Sequence, residues 1–314
     1  MSARTVGDRP TTRSWRGLTM VCLAGTVWGT IGPAVQLVHE RSPLSPPTIS
    51  AYRAVAAVAT LILAALATGR HHACWSLARA HWRRVVVVGS LTATYQLLFF
   101  VAVVAAGVSV TTVVSLGFAP VLLLVVTSAQ RRRLPSFGRV LTVTTAVLGL
   151  LLVSVSGVAD DASHPALGIC AALASGAAYA LSADLAPPLS QLHDGLTVTT
   201  LTMSVAAALL VPAGLVLAHV HGEAMTTTDA GSWLLLVYLG VVTMAVAYVL
   251  LFTGLRTTPS GAAVVATLLE PVAAVLIAVS LLGERLTPAV AVGSLLIVAA
   301  IASLGSQPQN PPPQ

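Results

Sequence analysis

Residues 260–282 read SGAAVVATLLEPVAAVLIAVSLL, twenty-two uncharged positions around one carboxyl, Glu270. At about 1.5 Å per helical residue such a run spans the ~30 Å hydrocarbon core of a bilayer. Glu270 lies ten residues after Ser260 and twelve before Leu282, about 15–18 Å from either end and so near the bilayer centre. In hydrocarbon the backbone must satisfy its own polar groups, and a continuous run does so as a helix. Ala263, Ala266, Thr267, Ala273 and Ala274, one and two turns from Glu270, are small, so this face permits close helix approach or forms a cavity wall.

Nine more runs of this kind flank it: Gly17–Val38, Pro47–Thr68, Val85–Ala106, Ser109–Ser128, Gly138–Gly157, Ala166–Ala186, Leu196–Ala218, Gly231–Leu255 and, after it, Pro288–Leu304. The 314 residues are 56% hydrophobic and 8% charged, with mean hydropathy +0.90. A soluble domain carries about 25% charged residues. The runs are continuous rather than alternating, which excludes a membrane barrel. The expected fold is all-α and integral to the membrane, with ten transmembrane helices.

The 22-residue run after the polar start is too long for a signal-peptide core and is expected to remain as the first span. The proline-rich end, 307–314, cannot propagate a helix and is expected to be extended. Thirteen of the sixteen arginines fall on the N-terminal side of the membrane if the spans alternate: Arg4, Arg9, Arg13, Arg16, Arg70, Arg79, Arg83, Arg84, Arg131, Arg132, Arg133, Arg139 and Arg256. Only Arg41 and Arg285 fall opposite, with Asp160, Asp161, Glu223 and Asp229. The positive-inside rule places both termini in the cytoplasm. The basic run Arg131–Arg133 is read as an anchor touching anionic lipid. The +6 charge is thus a matter of topology, not a nucleic-acid signal.

Shifting the chain against itself by 151 residues sets Ser109 and Pro120 on Ser260 and Pro271, and Gly25 and Trp28 on Gly176 and Tyr179. A repeat of five helices is odd in number, so its two copies must be inverted relative to each other, as in many secondary transporters. The expected organisation is a tail over 1–16, repeats over 17–157 and 166–304 joined by 158–165, and a second tail over 305–314.

Trp28-Gly29, Tyr248 and the segments Leu269-Glu270-Pro271-Val272-Ala273-Ala274 and Gly283-Glu284-Arg285-Leu286-Thr287 resemble the EamA-type branch of the drug/metabolite transporter superfamily. The resemblance covers about residues 17–304. It implies a metabolite carrier, usually an exporter, with a central cavity between the halves. Ala119 stands where Glu270 stands in the second half, and Arg132-Arg133 replaces Gly283-Glu284, so a symmetric two-carboxylate site is not expected.

Glu270 is the leading candidate for solute binding or coupling. Burial makes its ionised form costly, which suits a group that takes a proton on one side and yields it on the other; the bland alternative is a hydrogen-bonded carboxyl bridging helices beside Pro271. Gln96, Tyr95, Tyr179 and Tyr248 are the neutral cavity candidates, because they cannot satisfy themselves on their own helix as Ser and Thr do. Trp28 either lines the cavity or fills the bundle. Arg53, about 10 Å inside its helix, is expected to snorkel to the outer interface, with contact to an anionic solute as the alternative. Asp184 is expected at the cytoplasmic interface. His219, His221 and Glu223 tempt a metal reading, but alternate residues share a face only in an extended segment, and a solvated loop is preferred.

With no lysine, P-loop and Schiff-base chemistry are excluded, and no nucleophile motif appears. The reading is a secondary carrier, not an enzyme. It has no cofactor and no metal, and its partners are a small-molecule solute, protons and membrane lipid. An amino-acid-like solute, other metabolite or drug would be exported across a bacterial cytoplasmic membrane by alternating access. An uncoupled facilitator and a membrane-embedded scaffold are the alternatives.

Overall fold

The computed structural model describes residues 11–154, 164–281 and 286–306. The expected Gly283-Glu284-Arg285 segment, Asp160, Asp161 and the proline-rich end lie outside the described residues. Ten apolar spans follow one another: α1 (Trp15–Arg41), α2 (Pro46–Ala67), α3 (His71–Ala106), α4 (Val108–Arg131), α5 (Phe137–Ser154), α6 (Pro165–Leu192), α7 (Gly195–Val220), α8 (Ala230–Gly254), α9 (Ser260–Ser280) and the shorter α10 (Pro288–Leu304). The expected ten-helix, all-α membrane fold is what forms, and among the described residues the nearest thing to a strand is a single bridge between Leu44 and Ala224.

Two boundaries differ from expectation by more than a turn. α6 runs to Leu192 rather than ending near Ala186. α3 begins at His71 rather than near Val85, and its backbone leaves helical geometry at His81 (φ −132°, ψ 28°). The apolar run marks only the part that crosses hydrocarbon, whereas helix can continue into the interface. There the exposed rings of Trp75 and Trp82 are covered by the guanidinium groups of Arg79 and Arg83, 5.6 and 5.5 Å from the ring centroids.

Three spans are broken among the described residues, each just before a proline; in α6 the helix stops at Leu185 and resumes at Pro187, and the other two breaks bear on the site. In α1 the helix stops at Trp28 and resumes at Ile31. Pro33 has no N–H for the carbonyl of Gly29, four residues back, and the Thr30 amide reaches the nearer Val27 carbonyl instead. In α9 the helix stops at Ala266 and resumes at Leu269. Pro271 leaves the Thr267 carbonyl without its usual donor, and the Glu270 amide takes it at 3.0 Å. These two breaks meet: a β-carbon on Gly29 would lie 2.6 Å from the carbonyl oxygen of Glu270, and one on Gly25 3.1 Å from that of Thr267. The spacing Gly25-x-x-x-Gly29 thus lets α1 lie directly on the α9 backbone. α4 carries Pro120 at the repeat-related position without interruption.

The buried apolar groups form several clusters on both sides of the membrane. On the side of the termini, Leu18 and Val21 of α1, Leu61 of α2, Leu77 and Val88 of α3, Leu189 of α6, Val198 of α7 and Leu251 of α8 belong to one cluster, while Val143 and Ile301 of α5 and α10, and Leu123 and Ala183 of α4 and α6, belong to two others. On the far side the apolar groups divide. Ala34, Val38, Leu44, Ile49 and Leu236 join α1, α2 and α8, while Ala102, Ala171 and Ala172 join α3 and α6. The far-side loops divide likewise: Tyr52 donates to the Met225 carbonyl (2.8 Å), and the His164 amide donates to the Ala105 carbonyl (3.2 Å). Both segments of α9 pack on α1 and α10, and the first also packs on α4 and α6. α3 and α4 turn about one residue, Gly107, whose φ of 82° only glycine adopts without strain.

Candidate functional site

The site forms where the α9 break faces α2, α3, α6 and α8. Arg53 does not snorkel outward as expected. Its Nη2 donates to Gln96 Oε1 at 2.9 Å, and its guanidinium lies within electrostatic reach of Tyr95, Tyr248 and Glu270. α2 explains the correction: its exposed side is drawn from Val55, Ile62, Leu63 and Leu66, and Arg53 points away from that side, into the bundle. Because arginine only donates, Gln96 must present its oxygen to Arg53, and its amide nitrogen is directed elsewhere. That nitrogen and Arg53 Nε are buried and have no hydrogen-bond partner among the described residues.

Glu270 stands in the first turn of the second α9 segment and is half-buried. Among the described residues its carboxyl makes neither a hydrogen bond nor an ion pair, so it does not bridge helices. The ion pair found there is Arg70–Asp194, at the side of the termini. The bundle therefore encloses one cation and one carboxyl that influence each other without pairing. Such an arrangement forgoes the attraction that ordinarily offsets desolvation of buried charges.

Aromatic rings make the floor. Tyr179 is buried, and its hydroxyl lies 2.8 Å from Thr267 Oγ1. The Thr267 proton goes to the Val264 carbonyl (2.8 Å), so Tyr179 is the donor, and it holds the α9 break to α6. Tyr95 stacks on Tyr179 at 5.1 Å, and the backbone carbonyl of Tyr95 accepts from Ser175, which in turn accepts from Ser115. Tyr248 meets Trp28 edge to face at 5.2 Å. Trp28 is buried and its indole donates to the Thr243 carbonyl at 2.9 Å. Trp28 thus fills the bundle beside Tyr248 and ties α1 to α8. Thr243 lies in a π-helical stretch, Val241–Val246, that interrupts α8; such bulges free or redirect carbonyls and are frequent at functional sites. Beneath the tyrosines a cavity of about 10 Å³, lined by Thr92, Ser182 and Phe252, has room for about one water.

All six candidates from the sequence, Glu270, Gln96, Tyr95, Tyr179, Tyr248 and Trp28, converge here. Arg53, Thr267 and Thr243 complete the group. The signal for Arg53 was present as one charge deep in an otherwise uncharged span with no partner on its own helix. The sequence marked Thr267 only as a small residue on the Glu270 face, and Thr243 looks like a residue bonding its own backbone. His219 and His221 lie exposed at the end of α7, and His221 Nδ1 contacts the Leu217 carbonyl of its own helix.

A ten-span helical bundle of two repeats, with polar and charged groups enclosed at a broken helix, has the build of a membrane transporter. The family model for the EamA-like transporter family matches residues 15–155 and again 166–306, and the chain belongs to that family. The chain is 27% identical over 293 residues to the protein named "Uncharacterized transporter YwfM" of Bacillus subtilis (strain 168), covering 92% of this chain and 94% of that one. One crystal structure shares the fold with a TM-score of 0.74 at 20% identity, covering 94% of this chain and 98% of its own.

Proposed function

We propose that the protein is a secondary carrier that exports a small solute from a bacterial cytoplasm by alternating access, with Glu270 as the coupling group. The observation that carries this reading is the enclosed, unpaired pair of charges, Arg53 and Glu270, at the α9 break. Unpaired charge is expensive inside a bundle, and a site that must accept and release a ligand is where such a cost is retained. Alternating access would open the packing on one side of the site as the other closes, with the break in α9 as the hinge.

Coupling follows from charge. A Glu270 that exchanges a proton with the accessible side couples transport to the proton gradient, because the bundle tolerates different charge states empty and loaded. Solute exchange by the purified protein in liposomes, with and without an imposed pH gradient, tests the reading. Gradient-driven accumulation supports it; exchange without accumulation identifies a facilitator; failure of every solute to exchange identifies a scaffold.

A further inference from the structure

The polar groups of the site are unbalanced. Arg53 offers Nε, which is buried and unpartnered, and spends only one Nη2 hydrogen on Gln96. The Gln96 amide nitrogen, fixed in orientation by that bond, is a second buried donor without an acceptor. The hydroxyls of Tyr95 and Tyr248 make no hydrogen bonds among the described residues and lie beside the same guanidinium. A phenol oxygen can accept as well as donate, so the surplus rests on Arg53 and Gln96, whose free N–H groups only donate, against one carboxyl group, Glu270. Each buried donor left unmade disfavours the folded state, so the surplus is matched by a ligand group rich in acceptors and negative in charge. A guanidinium edge beside an amide N–H₂ suits two carboxylate oxygens.

We propose that Arg53 and Gln96 form the subsite for a carboxylate, and that the transported solute carries one. This rests on the reading of the site as the carrier's central site. Charge conservation then gives two forms of the solute. If it is a simple monocarboxylate, Glu270 is neutralised by a proton when the solute is bound and the two travel together, so an inward proton gradient drives uptake rather than export. If it is a zwitterion, its ammonium group meets the ionised Glu270 and the proton returns on the empty carrier, which is exchange and gives export. The shared chemistry is the carboxylate on Arg53.

The test measures charge selectivity in the site without requiring the native solute. Ser50, one turn from Arg53 on α2 and half-buried, is replaced by cysteine in a full-length chain whose Cys22, Cys74 and Cys170 are alanine. Its modification by an anionic sulfonate thiosulfonate and by a cationic trimethylammonium thiosulfonate is timed. The anionic reagent is expected to react about tenfold faster or more, relative to its rate on a free thiol, as a fixed charge in a low-dielectric cleft concentrates its counter-ion. The preference should vanish in Arg53→Gln, persist in Arg53→Lys, and rise in Glu270→Gln.

Protection is then measured with three pools at equal concentration: amino acids, monocarboxylates, and the amides of the same amino acids. Protection by either carboxylate pool but not by the amides supports the subsite, and which pool protects distinguishes zwitterion from monoanion. Equal protection by the amides, no anionic preference, or a preference with no protection overturns it. Transport is read separately: a carrier that exchanges solute without anionic preference refutes the carboxylate subsite and leaves the carrier reading standing. Anionic preference and protection without exchange do the reverse.

Discussion

At the residue scale, Glu270 and Tyr179 make the most direct claims. Glu270→Gln keeps the shape and one acceptor oxygen but cannot titrate. Proton-driven accumulation in liposomes is expected to disappear while exchange between equal solute pools survives; full uphill transport by a well-folded Gln variant would remove Glu270 from coupling. Since its carboxyl holds no partner among the described residues, the variant should melt within about 1 kcal/mol of the parent, as there is no buried partner to strand. Tyr179→Phe behaves differently. It deletes one donor to Thr267 Oγ1 at 2.8 Å and leaves the ring stacked on Tyr95. A loss of about 1 kcal/mol in stability is expected, with altered exchange rate, because the bond fixes the α9 break to α6.

At the scale of elements, the contact between α1 and α9 and the cap of α7 can be tested by paired substitutions. Gly29→Ala places a methyl 2.6 Å from the Glu270 carbonyl, and backbone cannot yield as a side chain does. The expected cost is about 1–3 kcal/mol with impaired transport. Gly32→Ala, three residues on and facing open space, should be neutral or stabilising by up to about 1 kcal/mol, since alanine favours helix. Equal melting temperatures for the two variants would mean that α1 does not bear on α9. The cap is Asp194, which accepts from the Thr197 amide (3.1 Å) and hydroxyl (2.7 Å) and pairs with Arg70. Burial pushes this carboxyl up, but the Thr197 bonds and Arg70 together outweigh it and hold the group below the usual carboxylate range. A depressed value stabilises the fold above the unfolded pKa of about 3.9 and is lost as pH falls through the folded value. Asp194→Ala should therefore cost about 1 kcal/mol at pH 7, and the deficit relative to the parent should shrink in melts below about pH 4.

At the scale of the whole molecule, the prediction concerns sidedness. Cysteine at Met225, in the far-side loop before α8, should react with an impermeant maleimide on intact cells, while cysteine at Ala80 or Arg132 should react only after lysis. The reverse pattern would invert the topology and, with it, the assignment of the far side as external. The arginines argue for the expected pattern, because translocating a guanidinium against the membrane potential is costly and the spans therefore keep them inside.

The spans were legible in the sequence because the bilayer acts one helix at a time. Any run of about 20 apolar residues satisfies it regardless of neighbours, so the ten spans and their alternation could be read from local composition. The repeat was legible for a related reason: Ser260, Pro271 and Tyr179 hold one offset from their counterparts. Glu270 was legible too, as a carboxyl at mid-depth with no excuse on its own helix. Arg53 was not placed correctly, since snorkelling and burial differ only in which neighbour a long side chain meets, and Gln96 lies 43 residues away. Nor could Thr267 be told from any threonine that bonds its own turn; its partner Tyr179 is 88 residues distant. Which faces of different helices pack together was likewise beyond the sequence. That is decided by packing between segments rather than by any segment's own partition into lipid.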